Sequence, residues 1–293
     1  MKLLSEIIEM RKESVNVRAK GKVIGLVPTM GALHSGHLSL IEYARKNCDC
    51  VVVSIYVNPT QFSPNEDYSQ YPRPFEEDCK KAEKYGCDIL FFPSSDSMYP
   101  KNYMTYVCTE SITAKLEGAI RPEHFKGVTT IVTKLFNIII PCFAVFGQKD
   151  AQQTIVLKRM VEDLNMNVDI IVRPTIREKS GLAISSRNSY LTNSEKADAS
   201  CIYSSLCIAE EKYKNGEKSS ESIKKNMLAE FGKTDLISLE YLEFVDMITL
   251  KPVHRITGRT LITVACRTKE SNTRLIDNTI LHTSEHVNNK EDT

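Results

Sequence analysis

Three short strings in this 293-residue chain combine residue types that hold phosphate and nucleotide groups. The first runs Val27-Pro-Thr-Met-Gly-Ala-Leu-His-Ser-Gly-His. It follows a β-branched run and opens an amphipathic stretch, which is where an open α/β sheet binds its ligands. Gly31 and Gly36 would let backbone N–H groups come close to an anion, and a helix N-terminus beside them would add positive potential. His34 and His37 are three apart, so on a helical first turn they face one way and can both donate to one phosphate. A bare His-x-Gly-His string is also what two unrelated histidines at a helix start look like; its place after a strand favours the nucleotide.

The second string is Phe146-Gly-Gln-Lys-Asp-Ala-Gln-Gln, at the end of another apolar run. Gly147 would permit a tight strand-to-helix turn, Lys149 offers a point charge to a phosphate, and Asp150 can accept from a ribose hydroxyl or cap the helix. The third, Gly181-Leu-Ala-Ile-Ser-Ser-Arg-Asn, sets paired serines beside Arg187, giving hydroxyl donors and a planar fork suited to a triphosphate. An ordinary capped loop leading into a second domain would read the same way. On their own terms, Gln61 and Gln153 read as surface amides and Arg121-Pro-Glu-His-Phe-Lys-Gly as a charged turn. Glu77 with Asp78 reads as a solvated helix face rather than a metal site.

These strings meet only if the chain builds a sheet that carries them to one edge. Over the first 175 or so residues short β-branched runs alternate with longer amphipathic stretches, the pattern of stacked βαβ units. Strands are expected at 22–27, 50–57, 88–92, 142–146 and 168–172, with helices beginning near His37, Phe75, Gly127 and Ala151. The run Val51-Val-Val-Ser-Ile-Tyr-Val is apolar nearly throughout, as in a sheet covered on both faces. Between Arg173 and Ser189 the pattern breaks into Pro, Gly, Ser and charge. A helical region over 194–231 and strand-like runs at 239–245 and 260–264 follow. The expected fold is therefore α/β: a Rossmann-like parallel-sheet nucleotide-binding domain over 1–175, then a smaller α+β C-terminal domain over 176–293. The polar tail from His286 is expected to be disordered.

Composition narrows the partners. Lys and Arg total 38 against 37 Asp and Glu, so no global charge excess draws the chain to nucleic acid or an anionic membrane. The longest near-continuous apolar run, Ile138 to Phe146, is interrupted by Pro141 and Cys142 and falls far short of the roughly 20 residues of a membrane helix. The start, Met1-Lys-Leu-Leu-Ser-Glu, reaches acidic residues within one turn, which is not expected of the basic opening and apolar stretch of a secretory signal. Nine cysteines, an odd number with no Cys-x-x-Cys pair, read as reduced structural thiols in a cytoplasmic protein.

Taken together, these strings resemble the pantoate-β-alanine ligase family of the nucleotidyltransferase superfamily that carries a His-x-Gly-His signature. The resemblance covers most of the chain: Pro28-Thr-Met-Gly-Ala-Leu-His-Ser-Gly-His, Asn58-Pro-Thr-Gln-Phe, Tyr71-Pro-Arg, Arg121-Pro-Glu-His-Phe, Gly147-Gln-Lys-Asp-Ala-Gln-Gln, Leu182-Ala-Ile-Ser-Ser-Arg-Asn and Thr273-Arg-Leu-Ile-Asp-Asn. It implies ATP-dependent condensation of (R)-pantoate with β-alanine through a pantoyl-adenylate, releasing pyrophosphate and then AMP. It implies that Met30, Gly31, Ala32, Leu33, His34, Ser35, Gly36 and His37 contact ATP, with His37 the catalytic histidine and His34 its partner. Gln61 and Gln153, with Met30, would bind the pantoate and β-alanine substrates. Gly147, Gln148, Lys149, Asp150, Ile176, Ile184, Ser185, Ser186 and Arg187 would complete the ATP site, Lys149 and Arg187 acting in catalysis.

The resemblance further implies Mg bridging the phosphates without an all-protein cage, a homodimer, and a lid role for 176–293. The chain departs from the family pattern at Gln148, where Glu is common, at Pro74, where Thr is common, and at Ala151, where an aromatic is frequent. The residue chemistry agrees with such a reaction. Attack of a carboxylate on the α-phosphorus develops charge on the surrounding oxygens, so the protein contributes positioning and electrostatic stabilisation, and neutral amides orient the nucleophile without blunting it. Two rivals remain: another nucleotidyltransferase, which would need no amide pair at 61 and 153, and a non-enzymatic nucleotide sensor.

Overall fold

The computed structural model describes residues 1–64 and 66–282, so the tail expected to be disordered, 286–293, lies outside the described residues. The chain divides into two compact units, Met1–Thr175 and Ile176–Thr293.

In the first unit, strands β1 (Lys2–Leu4), β2 (Ile24–Thr29), β3 (Cys50–Ile55), β4 (Ile89–Phe91), β5 (Phe143–Gly147) and β6 (Asp169–Arg173) form one parallel sheet. Their order is β1-β4-β3-β2-β5-β6. From β2 the chain runs outward through β3 and β4 on one side, then returns to lay β5 and β6 on the other. The order therefore reverses between β2 and β5, and a crevice opens at the carboxyl ends of those two strands. The first two strings sit at those ends.

The connecting helices are α1 (Ile7–Ala19), α2 (Ser35–Asn47), α3 (Phe75–Lys84), the single turns α4 (Ser95–Met98) and α5 (Glu117–Ile120), then α6 (His124–Ile139) and α7 (Ala151–Asp163). Alternate strand residues point to opposite faces. Ile24 and Leu26 of β2 join Cys50 and Val52 of β3 in a core closed by Met10 of α1, Val128, Val132 and Leu135 of α6 and Leu157 of α7. Val27, Val51 and Val53 point the other way, to Leu38, Ile41 and Ala44 of α2 and Ala82 of α3. Burial on both faces is why these strands are apolar without alternation.

The second unit holds α8 (Asn193–Asp198), α9 (Ser200–Lys214), α10 (Ser220–Phe231) and the strands β7 (Ile237–Asp246), β8 (Thr260–Thr268) and β9 (Arg274–Leu281), an antiparallel sheet in the order β7-β8-β9. Its core joins Ile202 and Leu206 of α9 and Ile223 and Met227 of α10 to Leu242, Ile262, Val264 and Leu275 of the sheet. The α/β class with a smaller α+β unit is as the sequence led one to expect. Five elements lie outside the expected runs: the single turns α4 and α5; β1, three residues long; α1, which buries only Met10 and Ser14; and β9, whose Asp277 and Asn278 are both buried within the strand.

Candidate active site

Between β2 and α2 the backbone passes through two left-handed residues, Gly31 at φ +83° and Ala32 at φ +50°. The second is a conformation that costs a non-glycine residue about 1–2 kcal/mol. It is held by a carboxylate from another helix: Asp78 of α3 accepts the N–H groups of Ala32 at 2.8 Å and Leu33 at 2.7 Å. Lys81, one turn on, donates to the Leu33 carbonyl at 2.8 Å, and the Gly31 N–H donates to the Thr29 hydroxyl at 3.1 Å. Two expectations are corrected. Asp78 is 1% exposed, so only Glu77, paired with Lys81 at 2.8 Å, belongs to a solvated face. The N–H groups of Gly31, Ala32 and Leu33 are engaged within the protein, whereas the start of α2, whose first turn has no side-chain cap and no acidic residue, could offer donors to an anion.

His34 does not lie on the helical turn expected of it. It is the N-cap, extended at φ −122° and ψ 175°, and His37 is the third residue of α2. The two rings still face one way, stacked with centroids 4.0 Å apart. Gly36 makes room for this, because a Cβ there would stand 3.0 Å from the His34 ring. Both Nδ1 atoms are buried without a hydrogen-bond partner. Burial lowers His34 to about 4, with the charge of Lys149 adding to the effect. Burial takes His37 to about 3, aided by His34 and then Lys149. Each ring is therefore neutral near pH 7 and offers a single N–H donor.

The carboxyl end of β5 brings the second string to the same crevice. Lys149 is half-buried and its charge acts on both imidazoles, while Asp150 opposes it at His34. Gly147 is not demanded by the turn: its φ is −85° and a Cβ there would meet nothing within 4 Å. Asp150 stands at the N-cap of α7 without a side-chain cap bond. Gln153 lies half-buried on the first turn of α7. Its neighbour Gln152 is buried and structural, donating to Ile112 O at 2.9 Å and Lys115 O at 2.8 Å and accepting from Glu117 N at 3.0 Å.

Gln61 sits on a single helical turn, Pro59–Gln61, just beyond β3. Its amide nitrogen donates to Met30 Sδ at 3.0 Å and its amide oxygen accepts from Asn58 at 3.2 Å, which brings it to the first string. Its backbone carbonyl accepts from Arg121 at 3.2 Å and from His124 Nδ1 at 2.9 Å. Arg121 grips Glu66 in a bidentate pair at 2.7 and 2.5 Å. Burial works against the Glu66 charge, yet the bonds and charge of Arg121 prevail and hold its carboxyl below the usual range. Burial, then Arg121, lowers His124 to about 4, so it is a neutral donor through Nδ1. The segment read as a charged turn is thus the anchor of Gln61. Its partners lie 55 to 63 residues away in the chain, beyond the reach of any local pattern.

In the second unit, Ile184 N donates to Ile176 O at 3.0 Å and Glu178 N to Leu182 O at 2.9 Å, so 176–184 is a closed hairpin-like loop. Gly181, at φ +91°, is required there: a Cβ would come within 2.2 Å of the Tyr203 ring. Ser185 accepts from Arg187 N at 3.3 Å and caps a short turn over Ser186–Tyr190. Arg177 binds Asp277 at 3.0 Å and lies 4.2 Å over the Tyr203 ring. Ser186 and Arg187 each have an interaction partner as well.

A family model for pantoate-beta-alanine ligase matches residues 2–280. A pantothenate synthetase of Thermotoga petrophila is 53% identical over 96% of this chain and 100% of its own length, and one of Thermotoga neapolitana is 51% identical over the same shares. The crystal structure of pantothenate synthetase from Thermus thermophilus superposes with a TM-score of 0.89 at 39% identity, covering 95% of this chain and 99% of that one. That of pantoate-beta-alanine ligase from Francisella tularensis, complexed with beta-gamma ATP and beta-alanine, gives 0.77 at 35% identity, covering 96% and 97%. With the match running through both units and through every string that could do chemistry, the chain belongs to the pantoate-beta-alanine ligase family.

Proposed function

We propose that this enzyme, an ATP-dependent ligase of pantoate and β-alanine, works through a pantoyl-adenylate. A carboxylate oxygen of pantoate attacks the α-phosphorus, the bond to the β-phosphate oxygen breaks, and pyrophosphate leaves. The β-alanine amine then attacks the acyl carbon, loses a proton, and expels AMP. The observation that carries this reading is the pair of neutral imidazoles, His34 and His37, under the charge of Lys149 at the sheet's switch point. Neutral N–H donors and one ammonium group stabilise charge that develops on phosphate oxygens. Gln61 and Gln153 are assigned to pantoate, Gln61 on the support of its anchored, uncharged amide. The stretch Met30 to His37 and Gly147 to Asp150 is assigned to ATP. Ile176, Ile184, Ser185, Ser186 and Arg187 join that assignment on the loop's chemistry, hydroxyls beside a guanidinium.

Magnesium, if bound with ATP, would neutralise part of the phosphate charge. Among the described residues no cluster of three His, Cys, Asp or Glu could hold a metal ion, and both oxygens of Asp78 already accept backbone N–H groups. No residue is therefore assigned to the ion. The nine free cysteines support a reducing, cytoplasmic setting, and a homodimer, which sedimentation would read, is part of the proposal. The deciding experiment is exchange of labelled pyrophosphate into ATP. Pantoate alone supports it and β-alanine alone does not; ADP as product, or exchange without pantoate, would overturn the adenylate route.

A further inference from the structure

Which end of the Gln61 amide faces the substrate is fixed by a chain of hydrogen bonds that starts outside the site. Asn58 is 1% exposed, and its side-chain nitrogen donates to Gly127 O at 3.1 Å. Its oxygen accepts from Thr60 Oγ1 at 2.9 Å and from Thr60 N at 3.4 Å. Turning this amide over would set oxygen against the Gly127 carbonyl and nitrogen against the Thr60 N–H, so the orientation has no alternative. The second hydrogen of Asn58 Nδ2 points at Gln61 at 3.2 Å, and the atom it meets must be the oxygen. The Gln61 NH2 group is therefore turned away from Asn58, toward Met30 Sδ, a weak acceptor that a ligand oxygen would replace with gain. The single hydroxyl proton of Thr60 goes to Asn58, so Tyr99 Oη, 3.2 Å from Thr60 Oγ1, is the donor in that contact. Burial pushes the Tyr99 phenol up to about 12, which keeps its proton in place.

We propose that Thr60, backed by Tyr99, is a positioning residue for pantoate: acting through Asn58, it holds Gln61 so that it presents a donor to an oxygen of the substrate. The inference rests on the assignment of Gln61 to pantoate. The turn itself does not depend on the Thr60 hydroxyl, since the Gln61 backbone is held by Arg121 and His124. Without that hydroxyl, Asn58 Oδ1 loses its short donor and keeps only the 3.4 Å bond from Thr60 N, so Asn58 holds the Gln61 oxygen less firmly and the Gln61 amide can rotate its oxygen toward the substrate carboxylate. A lost hydrogen bond with like polarity in its place is worth about a factor of ten in binding.

The test is pantoate-dependent pyrophosphate exchange on the full chain, comparing the KM of pantoate with that of ATP. Thr60→Val is expected to raise the pantoate KM about tenfold with the ATP KM within about twofold. Thr60→Ser restores it, and Tyr99→Phe moves it in the same direction by less. The ATP KM is the internal check on folding. In a Gln61→Ala background, Thr60→Val should add less than about twofold, because its effect passes through that amide. A Gln61→Ala variant with impaired pantoate use beside a Thr60→Val variant with none overturns the positioning role, as does an equal Thr60→Val effect in both backgrounds. If Gln61→Ala leaves the pantoate KM unchanged, the assignment of Gln61 itself is wrong.

Discussion

Two imidazoles stacked 4.0 Å apart, each with its Nδ1 buried and without a partner, resist taking up charge, and the proposed reaction would use them uncharged. A neutral donor already aimed at the developing charge needs no proton uptake during the reaction. His37→Ala, and separately His34→Ala, should lower single-turnover adenylate formation by ~10² to 10³ with the fold intact, read by quench-flow beside circular dichroism. The same burial carries a stability consequence with a definite sign. Unfolded, each histidine titrates at its ordinary 6.5; folded, at about 4 and about 3. Below pH 6.5 the unfolded chain binds protons that the folded chain does not, so their contribution is complete above 6.5 and drains away as pH falls toward 4 for His34 and toward 3 for His37. The urea midpoint should decline across that window, and the decline should be shallower in the His34→Ala/His37→Ala double variant. A slope identical to wild type would remove these histidines from the acid sensitivity. Gln153→Ala, for its part, should weaken pantoate use more than ATP use in calorimetry.

Among the elements, α6 decides where Gln61 stands. A Cβ on Gly127 would lie 2.5 Å from Thr60 O and 2.6 Å from Gln61 N, both backbone atoms that cannot swing aside. Gly127→Ala should therefore displace the 59–61 turn, raise the pantoate KM and lower Tm by a few degrees. Gly147→Ala, where a Cβ meets nothing and φ is negative, should behave as wild type in both measurements. Sequence periodicity had located α6 and the strands beside it, because burial on both sheet faces leaves long apolar runs. What it could not locate were contacts between elements. Asp78, in the acidic first turn of an otherwise amphipathic helix, looks identical to Glu77 beside it in composition. Only the packing of α3 against α2 turns one of them inward to hold Ala32 and Leu33. Likewise β1 is too short for a pattern, and β9 hides behind Asp277, whose burial is compensated by Arg177 a hundred residues earlier. The His-x-Gly-His and Lys149 strings were legible because a glycine-bearing loop between strand and helix announces itself locally. The Arg121, His124 and Glu66 anchor was not, because each residue does its work on a distant partner.

At the scale of the whole chain, balanced charge and three apolar cores, two in the first unit and one in the second, leave the thiols as the most direct report on packing. All nine cysteines are free, and they divide by burial: Cys108 is exposed, Cys48, Cys79, Cys142 and Cys207 are half-buried, and Cys50, Cys87, Cys201 and Cys266 are buried. The thiolate is the reactive form, so a thiol is silenced both by lack of access and by a raised pKa. Burial pushes Cys50 up to about 11 and Cys87 and Cys201 to about 12, and raises Cys266 further still. Of these four, Cys50 and Cys87 belong to the first unit's cores and Cys201 and Cys266 to the second's. Titration with an aromatic disulfide reagent at pH 8 should therefore show a single fast thiol that Cys108→Ser abolishes, a slower group, and four that react only in denaturant. Each unit's core contributes two of those four, which mass mapping of the labelled peptides would assign. Early labelling of Cys87 or Cys266 would mean that the corresponding core opens under native conditions, and would contradict the packing of α2 and α3 on the parallel sheet in the first unit or of α9 and α10 on the β7-β8-β9 sheet in the second.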